Sequence, residues 1–223
     1  MEKEIKDKEP FRFYTRLSLS ELTGLRASTL QQLAKITKDM PDSCIYNHTH
    51  RFLQQHQYLS PKSPSDFSYW VGNILGEKEL GDRLADIKIM EFGSVDSLRR
   101  KIVATISQYL RQRPLSRLRY SGDSDAFYFI KSVSFVFPTN YIVHSLKEFA
   151  EALKRVAIDS LYFHIFDARL RLGRNANDFS NWIRNSVADE KLADEISKLD
   201  PYAYTLEELR TAIIQLVERR LKE

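Results

Sequence analysis

The sequence predicts a mainly helical α+β fold with a small antiparallel β component, arranged as two tandem repeats related by a pseudo-twofold axis. Three observations carry this. Two stretches dense in aromatic and β-branched residues, "FRFYTRL" and "FYFIKSVSFVF", read as strands, each followed by about five helical patterns. The second half of the chain repeats the first. Apolar residues make up 43% of the chain, with 13 Phe and 11 Tyr against 7 Gly and 7 Pro, which supplies a core and argues against disorder.

The repeat is specific. At a spacing of 116 residues Phe11 meets Phe127, Phe13 meets Phe129, and "IYNH" (45–48) meets "LYFH" (161–164). The spacing drops to 112 after the loop "YLSPKSPS", where "DFSYW" (66–70) lies over "DFSNW" (178–182). Near the end it is 111, pairing Leu98 with Leu209 and Ile102 with Ile213. Gaps fall in loops while helices stay in register, as a duplication requires. The divisions are a charged tail 1–10, a repeat 11–112, a connection 113–126 and a repeat 127–223, with the repeats packed as one globular unit. An isolated strand pair is marginal in water. The strands of the two repeats are therefore expected to pair with each other, or each to form a hairpin on its own helices.

Each helix has a local reason to begin. Thr29 with Gln32, and Ser145 with Glu148, form capping boxes at the first helix of each repeat. The second helix carries the Tyr–x–His element, over about 43–57 and 158–172, the latter ended by Gly173. Asp66 and Asp178 open the third, where an acidic first turn suits the helix dipole. A short fourth helix covers about 78–87 and 189–199. The fifth starts at Ser94 and at Thr205, which Glu208 completes as a capping box.

Composition narrows the function classes. No stretch approaches the length of apolar chain that a membrane span needs, and the charged "MEKEIKDKEP" is neither a signal peptide nor an anchor. A single cysteine, Cys44, excludes an internal disulfide framework and a cysteine-based zinc site, and reads as a buried apolar thiol. A cytoplasmic protein is expected, with no membrane partner and no cofactor. Net charge is only +4, but Arg99, Arg100, Lys101, Arg111, Arg113, Arg117 and Arg119 form a strip free of acids. Such a strip either attracts nucleic acid, a phosphorylated ligand or an acidic partner, or is a solvated helix end.

The candidate ligand- or metal-binding residues are His48, His50, His56, Asp66, His164, Asp167 and Asp178. On an α-helix His48 and His50 lie about 200° apart and do not face one site. A metal at this element needs Asp66 or Asp178 as a further ligand, and no metal set is singled out. The structural alternative makes His48 and His164 packing residues that hydrogen-bond a backbone group or a carboxylate. His164, Asp167 and Arg171 fall at helical spacing, so a local charge network is expected. Arg169, Arg171 and Arg174 can receive a phosphate or carboxylate. No G-x-G-x-x-G, P-loop, G-x-S-x-G or H-E-x-x-H is present.

The stretches "SCIYNHTHRFLQQHQYLSPKSPSDFSYWV", "SLYFHIFDARLRLGRNANDFSNWI" and "LDPYAYTLEELR" resemble an uncharacterised prokaryotic family with a domain-of-unknown-function label. The resemblance spans about Phe11 to Leu221, although Asn47 stands where the family commonly has histidine. It implies a carbohydrate-synthesis setting and no defined reaction. The leading expectation is a non-catalytic binding or regulatory module that recognises a partner protein or a small anionic ligand, with homo-oligomers allowed. One alternative is a metal- or histidine-dependent hydrolase or transferase using His48, His50 and Asp66. The other is nucleic-acid binding through the 99–119 strip.

Overall fold

The computed structural model describes residues 9–56, 64–172, 176–199 and 204–223. The tail 1–8, residues 57–63, residues 173–175 (Gly173 and Arg174 among them) and residues 200–203 lie outside the described residues. The fold is mainly helical with one two-stranded sheet, so the α+β expectation holds. Strands β1 (Phe11–Ala27) and β2 (Phe127–Val143) form a long ribbon. Thr139 Oγ1 donates to the Phe13 carbonyl at 2.9 Å, and Thr23 Oγ1 to the Phe129 carbonyl at 2.7 Å. The start of each strand therefore meets the end of the other, which makes the pair antiparallel. The two strands pair with each other, and neither forms a separate hairpin.

The chain divides into two compact units, and they do not follow the segments 11–112 and 127–223. Unit 1 comprises residues 1–17 and 134–223, and unit 2 comprises 18–133. Each unit takes its helices from one half of the sequence and the aromatic start of its strand from the other half. The connection 113–126 belongs to unit 2, where it carries two short 3₁₀ turns.

In unit 2 the helices are α1 (Leu30–Asp39), α2 (42–56), α3 (66–74), α4 (Lys78–Ala85) and α5 (Val95–Gln112). Their apolar faces bury Leu30, Leu33, Ile45, Phe67, Trp70, Leu80, Leu98, Ile102 and Ile106, and Phe127 and Phe129 of β2 enter the same cluster. Residues from both strands thus complete a core that the helices alone leave open. Burying each such side chain contributes roughly 1.5–3 kcal/mol.

Unit 1 has α6 (Leu146–Leu153), α7 (158–172), α8 (178–187), α9 (Glu190–Ser197) and α10 (Leu206–Lys222). Phe11 and Phe13 of β1 pack there on Phe149, with ring centroids 6.0 and 5.8 Å away, and on Phe179 at 5.4 and 5.8 Å. The expected caps are present, with Thr29, Ser145, Ser94 and Thr205 each accepting a backbone N–H of the first turn. Gln32 and Glu148 reach one residue further back than a capping box requires, to the amides of Ser28 and His144. The caps of α3 and α8 are Ser65 and Asn177, with Asp66 and Asp178 in the first turn.

Four helices contain a π-helical turn: 47–51 in α2, 70–74 in α3, 163–167 in α7 and 183–187 in α8. Such a turn holds more residues than an α-helical one, so residues three apart no longer stand one above another. Both Tyr–x–His elements run into one. Among the described residues no helix is long and apolar enough to cross a membrane.

Candidate functional site

Each unit has one histidine held by the same set of contacts. In unit 2 the backbone N–H of Ile130 donates to His48 Nε2 at 2.9 Å. A backbone amide can only donate, so Nε2 carries a lone pair and the proton is on Nδ1. Nδ1–H then donates to Asp66 Oδ2 at 2.6 Å. In unit 1 the N–H of Tyr14 donates to His164 Nε2 at 2.7 Å, and Nδ1–H donates to Asp178 Oδ2, also at 2.7 Å. Tyr14 and Ile130 stand at the same 116-residue spacing as the histidines themselves. Each imidazole therefore links three elements: its own helix, the next helix through the aspartate, and an incoming strand.

The surroundings are apolar. His48 lies among Phe67, Phe127 and Phe129, with centroids 5.8, 4.7 and 6.1 Å away. His164 lies among Phe11, Phe13 and Phe179 at 4.9, 5.8 and 5.4 Å. Burial pushes the His164 pKa down, and the Arg171 charge acts in the same direction. Asp178 opposes both, and the neutral ring prevails. Two indoles complete the set. Trp70 Nε1–H donates to the Asp125 carbonyl at 2.7 Å, and Trp182 Nε1–H to the Glu9 carbonyl at 3.0 Å. Each therefore anchors the chain just ahead of an entering strand.

The remaining candidates are dispersed. His50 is buried and stacks on Tyr46 at 5.4 Å, with Nδ1 3.2 Å from Thr49 Oγ1. His56 closes α2, and its side chain lies outside the described residues. Around the π turn 163–167, His164 and Arg171 of the expected His164–Asp167–Arg171 network share Asp178 Oδ2. Asp167 instead meets Arg16 of β1 at 2.9 Å, while Arg171 reaches Asp178 at 2.9 Å and lies over the Phe163 ring at 4.7 Å. Arg169 donates to the Leu199 carbonyl, so Arg169 and Arg171 do not converge on one anion. Arg174 lies outside the described residues. Among the described residues no three His, Cys, Asp or Glu side chains gather as metal ligands do.

The basic strip is largely neutralised by acids of its own helix and of other elements. Arg99 pairs with Asp42 and Asp96, Arg100 with Asp96, Arg113 with Glu79 and Arg119 with Glu77. Lys101, Arg111 and Arg117 are exposed. Arg16, Arg51 and Ser160 carry no local sequence signature, and Asn47 stands out only as a departure from the family pattern. The Ser160 hydroxyl donates to the Tyr14 carbonyl at 2.7 Å, on the residue whose amide binds His164. Cys44, 116 residues earlier, takes the corresponding place in unit 2 and is fully buried, which raises its thiol pKa. The spacing itself was the signal that could have found these positions.

Residues 8–218 match a family described as "Family of unknown function (DUF5752)". The chain is also similar to the solved structure of OrfY from Thermoproteus tenax, with 28% identity, a TM-score of 0.78 and 95% of each chain covered. No curated protein matches it.

Proposed function

We propose that this chain, which belongs to the DUF5752 family of unknown function, is a non-catalytic module that binds a protein partner through its β-ribbon. The observation that carries the reading is the exposure of Phe135 and Phe137. Their rings stack at 6.5 Å in unit 1, yet the two residues are 46% and 47% exposed, with Leu17 at 52%. Apolar side chains grouped in this way on a soluble surface mark interaction sites. Unit 2 adds exposed Leu19, Leu22 and Leu25 on its own length of β1. Each strand of a two-stranded sheet has one side without a partner strand, and beyond Tyr14 and Ile130, whose amides the histidines take, such an edge can accept an extended segment by strand addition.

The histidines support the non-catalytic half of the reading. Both nitrogens of His48 and of His164 are engaged, one by a backbone amide that cannot take up a proton. General-base or metal chemistry at Nε2 would require the strand to leave. The matched contacts in the two units support their descent from one duplicated segment. A single buried cysteine suits a reducing compartment, and we place the module in the cytoplasm.

The test is photo-crosslinking in cells from residue analogues placed at Phe135, Phe137 and, as an exposed control, Tyr120. The expected result is one protein adduct common to both ribbon positions and missing from the control. Phe135→Ser should abolish the adduct made from position 137 without shifting the thermal midpoint. Adducts no more selective than those from Tyr120 would end the proposal. An adduct with a second copy of the chain would identify that copy as the partner.

A further inference from the structure

We propose that unit 2 holds a small oxyanion bearing a hydroxyl, a hydrogen phosphate or a hydroxycarboxylate, on Arg51 and Asn47. The two residues open and close the π turn 47–51 and so lie on neighbouring turns of α2. Among the described residues Arg51 Nη1 and Asn47 Oδ1, both buried atoms, find no hydrogen-bond partner. Asn47 is only 8% exposed. Among the described residues Arg51 has no carboxylate beside it. A buried donor of a charged group and a buried acceptor left unmatched each cost about 1–3 kcal/mol, so both are rare in a finished core.

The other unit shows what this position ordinarily needs. Asp167 closes the π turn 163–167 as Arg51 closes 47–51, and Asp167 meets Arg16 of β1. At the 116-residue spacing the partner of Arg51 would come from position 132, which is Ser132. The charge on the helix is reversed and the charge on the strand is removed. Unit 2 therefore has a guanidinium where unit 1 has an ion pair, and among the described residues none supplies the opposite charge. Asn47 replaces Phe163, whose ring in unit 1 lies under two guanidinium groups. An apolar lid is thus exchanged for a hydrogen-bond acceptor. An oxyanion oxygen satisfies Arg51 by a charge-assisted bond, and a hydroxyl on the same ligand satisfies Asn47 Oδ1.

The experiment is a titration of the full chain with inorganic phosphate, glycolate, acetate and chloride at constant ionic strength, followed by ¹H–¹⁵N shifts of the Asn47 amide and the Arg51 Nε–H. Saturable shifts with phosphate or glycolate are expected, with acetate weaker because it has no hydroxyl. The tighter of the two identifies phosphate or hydroxycarboxylate as the ligand class. Arg51→Gln should weaken binding about tenfold to a hundredfold, while Lys101→Gln should leave it unchanged. Should Arg51→Gln fail to fold, the double variant Arg51→Asp with Ser132→Arg rebuilds the ion pair of unit 1 and should fold without binding. The site is overturned by shifts that do not saturate, by chloride matching phosphate, or by undiminished binding in the Arg51 variants.

Discussion

At the scale of single residues, His164 spends both of its nitrogens on holding elements together. The buried neutral ring has a folded-state pKa below its ordinary value. The unfolded chain therefore takes up a proton at a higher pH than the native one, and the ring's contribution to stability changes with pH in a defined sense. It is complete above the unfolded-state value of about 6.5 and is lost as pH falls from there towards the folded value. Urea unfolding followed from about pH 7.5 to pH 5 should show a loss of up to about 1.4 kcal/mol per pH unit from this group. His164→Phe should remove that part of the slope. It should also cost about 2–4 kcal/mol at pH 7.5, because the Tyr14 amide and one Asp178 bond lose their partner. A wild-type slope identical to that of the variant would mean that the ring is not held neutral.

The histidines and aspartates were legible as candidates because each falls in a repeated local motif. The partner at Nε2 was not. It is a backbone amide, which has no side-chain signature, and it lies 150 residues from His164 and 82 from His48. A strand amide at that distance cannot be read from periodicity. The Arg16 partner of Asp167 was not legible for the same reason: it sits on β1, far along the chain, while helical spacing relates only residues within a turn or two.

At the scale of elements, the sequence signals worked where they were local. Caps, acidic first turns and apolar faces placed the helices, since each depends on residues within a turn or two. Helix ends show where the two halves differ. After α3 the chain turns through Gly76, at φ +71°, and after α8 it turns through Ala188, at φ +59°. Glycine enters that conformation freely, whereas alanine bears a steric cost of about 1 kcal/mol. Ala188→Gly should therefore raise stability by up to about 1 kcal/mol, as read from the urea midpoint at constant slope, whereas Gly76→Ala should lower it by a similar amount. If Ala188→Gly destabilised the protein, the turn after α8 would have to be held by contacts to the alanine methyl rather than by its backbone.

At the scale of the whole molecule, the unexpected feature is which strand completes which core. "F-x-F" opens both strands, so the sequence is equally compatible with each strand packing on its own helices or on those of the other half. Packing decides in favour of the exchange. Phe127 and Phe129 close the core of unit 2, and the contiguous chain 18–133 contains every residue of that unit. The segment 11–112, which a reading of the repeat alone would choose, has all five helices but lacks these two rings and the Ile130 amide that binds His48. The decisive comparison is therefore urea unfolding of fragments 18–133 and 11–112. Fragment 18–133 should unfold in one cooperative transition, and fragment 11–112 should show none. A cooperative transition of equal midpoint in 11–112 would mean that the exchanged strand is dispensable and that the histidine holds nothing essential.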